Sequence, residues 1–262
     1  GEFAFAGFKN LKEVIIPDTV TKIHSGAFAG CIKLENITLP KGLQVIEMKV
    51  FSNCKSLKEI EIPSGIIEIP DGAFGFCESL QKVTLPGGLK KIGKSAFKGV
   101  PLNKIDLPES LEEIGGGFEF WKKLEYVVLP KGLKKIGNIF SGCTNLKEIT
   151  LPEDTTELGE YTFKDCVNLE RIIFPKGLNK LGQSVFFGCS KLKEITLPED
   201  ITELEGYTFS GCVNLEKVIF PKGLHKLRQS VFSDCSSLKE INIPDTVSEI
   251  HSSVFNSCTA LE

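Results

Sequence analysis

One phrase of 23 residues, F-x-G-C-x-x-L-x-x-I-x-L-P-x-x-L-x-x-I-x-x-x-x, runs through the chain from end to end. Its phenylalanine falls at Phe5, Phe28, Phe51, Phe74, Phe97, Phe118, Phe140, Phe163, Phe186, Phe209, Phe232 and Phe255. A proline column runs beside it, at Pro17, Pro40, Pro63, Pro86, Pro108, Pro130, Pro152, Pro175, Pro198, Pro221 and Pro244. Repeats of this length are single supersecondary units that cannot bury their apolar side alone. Burying roughly six side chains returns ~1.5–3 kcal/mol each, whereas ordering the backbone costs about 1–2 kcal/mol per residue. Neighbouring coils must supply the deficit through shared burial and ladder hydrogen bonds. The chain is therefore expected to stack as a solenoid.

Within each coil, "LENITLP" from Leu34 to Pro40 alternates apolar and polar residues, the pattern of a half-buried strand. Proline ends that strand because it has no N–H to give to a ladder. Leu43 and Ile46 then turn back across the other side, in a segment too short for a helix. The expected fold is β-rich: a continuous parallel sheet on the concave side, and short strands or 3₁₀ turns on the convex side. Residues 1–262 form one domain of about eleven repeats of 22–23 residues, starting mid-unit at "FAFAGF" and ending mid-unit at "CTALE".

The pattern "LxxIxLPxxLxxIgxxaFxgC" resembles the leucine-rich repeats of the BspA-like, or Treponema pallidum, type over essentially the whole chain. That resemblance implies a leucine-rich-repeat solenoid, or horseshoe, on a bacterial or protist cell surface or in a secreted protein. It also implies adhesion or binding of a host or matrix protein or glycoprotein. It brings no catalytic residues with it.

Composition narrows the partners. The 262 residues are 41% hydrophobic and 25% charged, with a formal net charge of −3, which leaves no basic footprint for nucleic acid. No apolar run approaches the ~18–20 residues of a membrane span, so this segment is not expected to insert in a membrane. No signal segment opens the chain and Met48 is its one methionine, so an excised or processed segment is expected. Solenoid ends without polar caps expose apolar residues, which makes end-to-end self-association a further expectation.

A second period of 46 residues overlies the first: Cys143–Gly188 and Cys189–Asp234 agree at 33 of 46 positions. The differences track charge. One column reads Lys147, Glu170, Lys193, Glu216, Lys239; the next reads Glu148, Arg171, Glu194, Lys217, Glu240. A third reads Glu153, Lys176, Glu199, Lys222, Asp245. Equivalent residues of adjacent parallel strands lie about 4.7–4.9 Å apart, where opposite charges attract by roughly 0.2–1 kcal/mol per pair. Alternation therefore reads first as compatibility between coils, and second as a charged docking strip.

The alternation lapses between Leu80 and Leu129, where length changes also fall. "FKGVPLNKIDLP" is one residue short after Phe97, and "EEIGGGF" is one short before Phe118. Lys82 and Lys104 become column neighbours on the concave face, with Asp106 two residues along and Tyr126 and Val128 in the next strand. These five residues form the candidate ligand-binding site, since Tyr and cations flanked by apolar surface are common interface anchors. Ile15, Ile173 and Ile219 also face that side, for binding or for strand strength. "FEFWKKL" places Trp121 in the cysteine column and Phe120 where glycine is usual; bulk that refills a shortened coil competes there with a site.

Chemistry is hard to find. All nine cysteines occupy one repeat column, which reads as a line of small buried side chains rather than a metal site. His24 and His251 share a repeat position at opposite ends, so they cannot cooperate. "IGGGF" lacks the strand-to-helix context of a phosphate loop, and "NIT" at Asn36 fits a glycosylation sequon on a strand face. No catalytic, cofactor or metal residue is proposed. The expected role is non-enzymatic recognition or adhesion, with a structural spacer or stalk, or a self-assembling segment without a ligand, as the alternative.

Overall fold

The computed structural model describes residues 1–262 as two compact units, Gly1–Lys123 and Leu124–Glu262. Both are parallel β-solenoids without helices. In the first unit the strands are β1 (Glu13–Ile15), β2 (Lys22–Ile23), β3 (Asn36–Thr38), β4 (Val45–Ile46) and β5 (Glu59–Glu61). There follow β6 (Glu68–Ile69), β7 (Lys82–Thr84), β8 (Lys91–Ile92) and β9 (Glu113–Gly116). The second unit begins with β10 (Lys135–Asn138), β11 (Glu148–Thr150), β12 (Glu157–Leu158), β13 (Arg171–Ile173) and β14 (Lys180–Leu181). It continues with β15 (Glu194–Thr196), β16 (Glu203–Leu204), β17 (Lys217–Ile219), β18 (Lys226–Leu227) and β19 (Glu249–Ile250).

Each regular coil thus makes two strands. The first-row strand is the expected half-buried triplet: Ile37, Ile60, Ile149 and Ile195 point in while both neighbours point out. The proline that follows accepts a bond from the residue three along, as in Leu43 N–H to Pro40 at 3.0 Å and Ile66 N–H to Pro63 at 3.0 Å. That turn delivers the chain to the second-row strand, a two-residue strand in most coils. The segment through Leu43 and Ile46 is one of these, β4, and not a 3₁₀ turn.

The first row is less continuous than its sequence suggests. Strands pair two by two, β1 with β3, β5 with β7, β11 with β13 and β15 with β17, all parallel and in register. Between the coils of β3 and β5 the ladder thins to single bonds such as Lys58 N–H to Glu35 at 3.2 Å. Lys104–Asp106 and Tyr126–Val128 are not strands, although Ile105 keeps its inward place and is buried. Both segments adjoin the shortened coils, where a missing residue spoils the alignment that ladder bonds need.

The core is a set of aligned columns. Leucines such as Leu34, Leu57 and Leu80 are fully buried, as are the phenylalanines of the repeat column from Phe51 to Phe232. In the first unit the rings of Phe5, Phe28, Phe51, Phe74 and Phe97 stack at 5.2–5.5 Å between centroids. In the second unit Phe140 to Phe255 stack at 5.3–5.8 Å. Near-parallel offset rings repeat at the coil spacing, which is why phenylalanine holds that column.

Candidate binding face

The outward residues of the first-row strands form the candidate face. In the first unit they shape an open trough of about 790 Å³ across β1, β3, β5 and β7. Ile15, Thr38, Glu59, Glu61, Lys82 and Thr84 contribute to its walls, with Pro17, Pro40 and Pro63 along one edge. Ile15 is 93% exposed, an unusual position for an isoleucine and one that burial in a partner would relieve. Lys82 stands in register with Glu59, and Thr84 with Glu61.

Of the five candidate residues, the trough takes in Lys82. Lys104 and Asp106 are exposed in the same unit, either side of buried Ile105, but outside the trough's lining. Tyr126 and Val128 belong to the second unit, where they are 60% and 74% exposed. Glu59, Glu61, Thr38 and Thr84 were not singled out from sequence. They occupy the same two outward columns as Lys82 and Asp106, and reading those columns through every coil would have found them.

The charges of the two rows behave differently. In the second row they contact one another. Glu47 binds Lys22 at 2.6 Å and also accepts the Ser25 N–H at 2.9 Å. Lys91 lies between Glu68 and Glu113 at 3.9 and 3.5 Å. In the second unit Glu157 bridges Lys135 and Lys180 at 3.1 and 3.0 Å, and Lys226 meets Glu249 at 2.7 Å. These contacts hold carboxyls below their usual range: Glu47 falls to about 2 through Lys22 and then Ser25, and Glu157 falls through Lys180 and then Lys135.

Register partners inside the first-row strands do not touch in this way. Glu148 and Arg171 are register partners, as are Glu194 and Lys217, yet none of these side chains is in an ion pair. The column through Lys147 does carry a contact between coils, Lys58 to Glu35 at 2.7 Å, which lowers the Glu35 carboxyl. The physical difference is support. A second-row acid such as Glu47 is pinned by turn N–H and hydroxyl groups within reach of its lysine. No such anchor holds Glu148 or Glu194, so an ion pair there pays full rotamer entropy to form.

The cysteine column is buried as expected, but its thiols are not merely apolar. Cys54, Cys77, Cys166, Cys189, Cys212 and Cys235 each donate S–H to the phenylalanine carbonyl of the preceding coil at 3.1–3.2 Å. Burial pushes the Cys77 and Cys212 thiols up to about 12, so they stay protonated. Trp121 is fully buried and takes a cysteine's place in this ladder, which supports the space-filling reading of its column. No group of three or more His, Cys, Asp or Glu side chains is placed to hold a metal ion, and no helix is long and apolar enough to cross a membrane.

The repeat geometry has known counterparts. The sequence profile of the BspA type leucine rich repeat region, in six copies, matches residues 1–120, 116–239 and 157–262. The chain belongs to that family. Among solved BspA-type and other leucine-rich repeat structures, it is 28% identical to a leucine-rich repeat protein from Bacteroides ovatus, over 95% of this chain and 85% of that one, with a TM-score of 0.68. It is 26% identical to a leucine rich cell surface protein from Faecalibacterium prausnitzii, over 96% and 82% of the two chains, with a TM-score of 0.59. It is 25% identical to the pneumococcal vaccine antigen PcpA, over 96% and 67%, with a TM-score of 0.69. No curated protein sequence matches it. The BspA-type repeats place the chain among repeat proteins of the protein-interaction and surface-protein kind.

Proposed function

We propose that this chain is a non-enzymatic recognition module of a cell-surface or secreted protein, binding a host or matrix protein or glycoprotein through the first-row face. The carrying observation is the contrast between rows. Second-row charges are neutralised by one another, whereas Glu59, Glu61, Lys82, Lys104 and Asp106 stand free of ion pairs, and the same row exposes Ile15. Charges already held in contact pairs have little left to offer a partner; unpaired ones beside apolar surface supply both steering and buried area. The likeness to a cell surface protein of Faecalibacterium supports the setting.

The test is binding to a panel of immobilised extracellular-matrix glycoproteins, with the chain carrying Lys82→Glu and Lys104→Glu as comparison. Saturable binding that the two substitutions abolish, with an unchanged unfolding midpoint, is the expected outcome. Equal binding by both chains removes the proposed contact surface, and absence of any saturable binding favours a spacer.

A further inference from the structure

We infer a second docking surface on this chain: the corner that carries Phe76, Lys98 and Phe120, fitted to an acidic peptide segment that bears an aromatic side chain. It lies outside the first-row face, in the turns that follow the second-row strands of the first unit, and so does not depend on the reading above.

Each of these turns ends on a left-handed residue just before the cysteine column. Most coils place there a residue that tolerates the conformation: Gly7, Gly30, Asn53, Gly99, Gly142, Asp165, Gly188, Gly211, Asp234 and Ser257. The exceptions are Phe76 at φ 59° and Phe120 at φ 63°. A bulky side chain in this region is strained, and strain that persists points to a use. Both rings also face solvent, 44% and 45% exposed, where glycine would remove strain and exposed apolar surface together.

Lys98, from the coil between them, sets its ammonium 5.9 Å from the Phe76 ring centre and 5.4 Å from that of Phe120. Gly99 lets this happen, because a Cβ there would stand 3.1 Å from Phe76 Cδ1. Three successive coils therefore assemble one ring–cation–ring element. Its surroundings are positive. Lys98 has no ion pair, and Lys122 and Lys123, which directly follow Phe120, have none either. Of the nearby acids, Glu78 is held by Lys55 at 2.8 Å. Glu119 is buried, accepting from Gly117 N–H at 2.8 Å and Ser95 Oγ at 3.1 Å.

A locally cationic, apolar corner on a chain of net charge −3 calls for a partner with the opposite charge and its own flat apolar group. A carboxylate pairs with Lys98 while a partner ring stacks on the outer face of Phe76 or Phe120. Two rings and three lysines make a small footprint, suited to a short peptide rather than a bilayer, whose stable binding needs a larger apolar area or a stronger basic cluster.

The experiment uses fluorescence anisotropy with a labelled, N-acetylated peptide of alternating aspartate and phenylalanine. Saturable binding is expected, weakened about tenfold or more by Lys98→Gln and by the double change Phe76→Gly, Phe120→Gly. The glycine variant restores the residue type usual at those turns, so its melting temperature should be unchanged or higher. Three results overturn the inference: no saturable binding by the unmodified chain, equal affinity in both variants, or equal affinity for a peptide of alternating aspartate and alanine. A fourth is binding to anionic phosphatidylserine vesicles that the same substitutions abolish while peptide binding persists, which makes the corner a lipid contact instead.

Discussion

The indole N–H of Trp121 donates to the carbonyl of Phe97 at 2.7 Å, the bond that a cysteine thiol makes to the preceding coil's phenylalanine elsewhere. The same Phe97 carbonyl also accepts Val100 N–H at 3.2 Å, just as Phe51 accepts both Cys54 N–H and the Cys77 thiol. Trp121 thus preserves the ladder with a larger donor. Its ring lies 4.7 Å from Phe118 and 6.5 Å from Phe97, filling space beside a coil two residues short. Trp121→Phe keeps most of that bulk and loses the donor, so it should cost about 1–3 kcal/mol in urea unfolding. Trp121→Ala should cost about 3–5 kcal/mol. Equal small losses from both would show that neither bond nor bulk matters.

Glu119 gives a pH signature. Burial, the largest influence, raises its carboxyl above the usual range despite bonds to Gly117 and Ser95. The native state therefore binds a proton that the unfolded chain releases near the ordinary carboxylate value, and stability falls as pH rises from there through the raised value. Glu119→Gln can keep both bonds, accepting from Gly117 and donating to Ser95, without ionising. Relative to the unmodified chain, the variant should gain stability as pH rises above the ordinary carboxylate range. No relative gain would place Glu119 in an environment more open than its burial indicates.

The two rows can be separated by charge reversal. Glu157→Lys puts three cations together in the second row, with Lys135 and Lys180 at contact distance. It should cost about 1 kcal/mol at low ionic strength. At 1 M salt, where the screening length is about 3 Å, most of that cost should vanish. Glu194→Lys, in a first-row column without ion pairs, should cost less under the same conditions. Equal costs would mean that the rows do not differ.

Thiol reactivity follows burial. Eight cysteines are buried and Cys258 is partly exposed. With thiolates suppressed by burial, an alkylating reagent at pH 8 should label Cys258 first and the others only on unfolding. Rapid labelling of Cys77 or Cys189 in the native protein would contradict the ladder.

We also propose that the repeats unfold as one cooperative domain. Trp121, the sole tryptophan, reports from the first unit, whereas far-UV circular dichroism reports from all coils. Coincident midpoints are expected, and two separated transitions would make the units independent.

Much of this fold could be read from residue columns. Phe28, Pro40, Leu43 and Ile46 each recur at a fixed offset, and a recurring offset states which side chains become neighbours. What columns do not state is how neighbours touch. The alternation at Glu148 and Arg171 was visible in the sequence, but it takes coordinates to show that Glu157 and Glu47 make contacts and Glu148 does not. Thiol donation from Cys77 was hidden for the same reason: spacing shows burial, not where an S–H points. Lys104–Asp106 kept the strand pattern while losing the strand, because a neighbouring deletion acts through alignment and not through composition. Phe120 was visible as an oddity in a glycine column, whereas Phe76 acquires meaning only beside Lys98 and Gly99.

Hydrogen-exchange mapping of the chain bound to a protein partner is the most direct measurement. Protection at residues 13–15, 59–61 and 82–84, with no change across the second-row strands β6 and β8, is the expected footprint. Protection confined to the second row, with Lys82 and its neighbours exchanging as in the free chain, would contradict recognition by the first-row face.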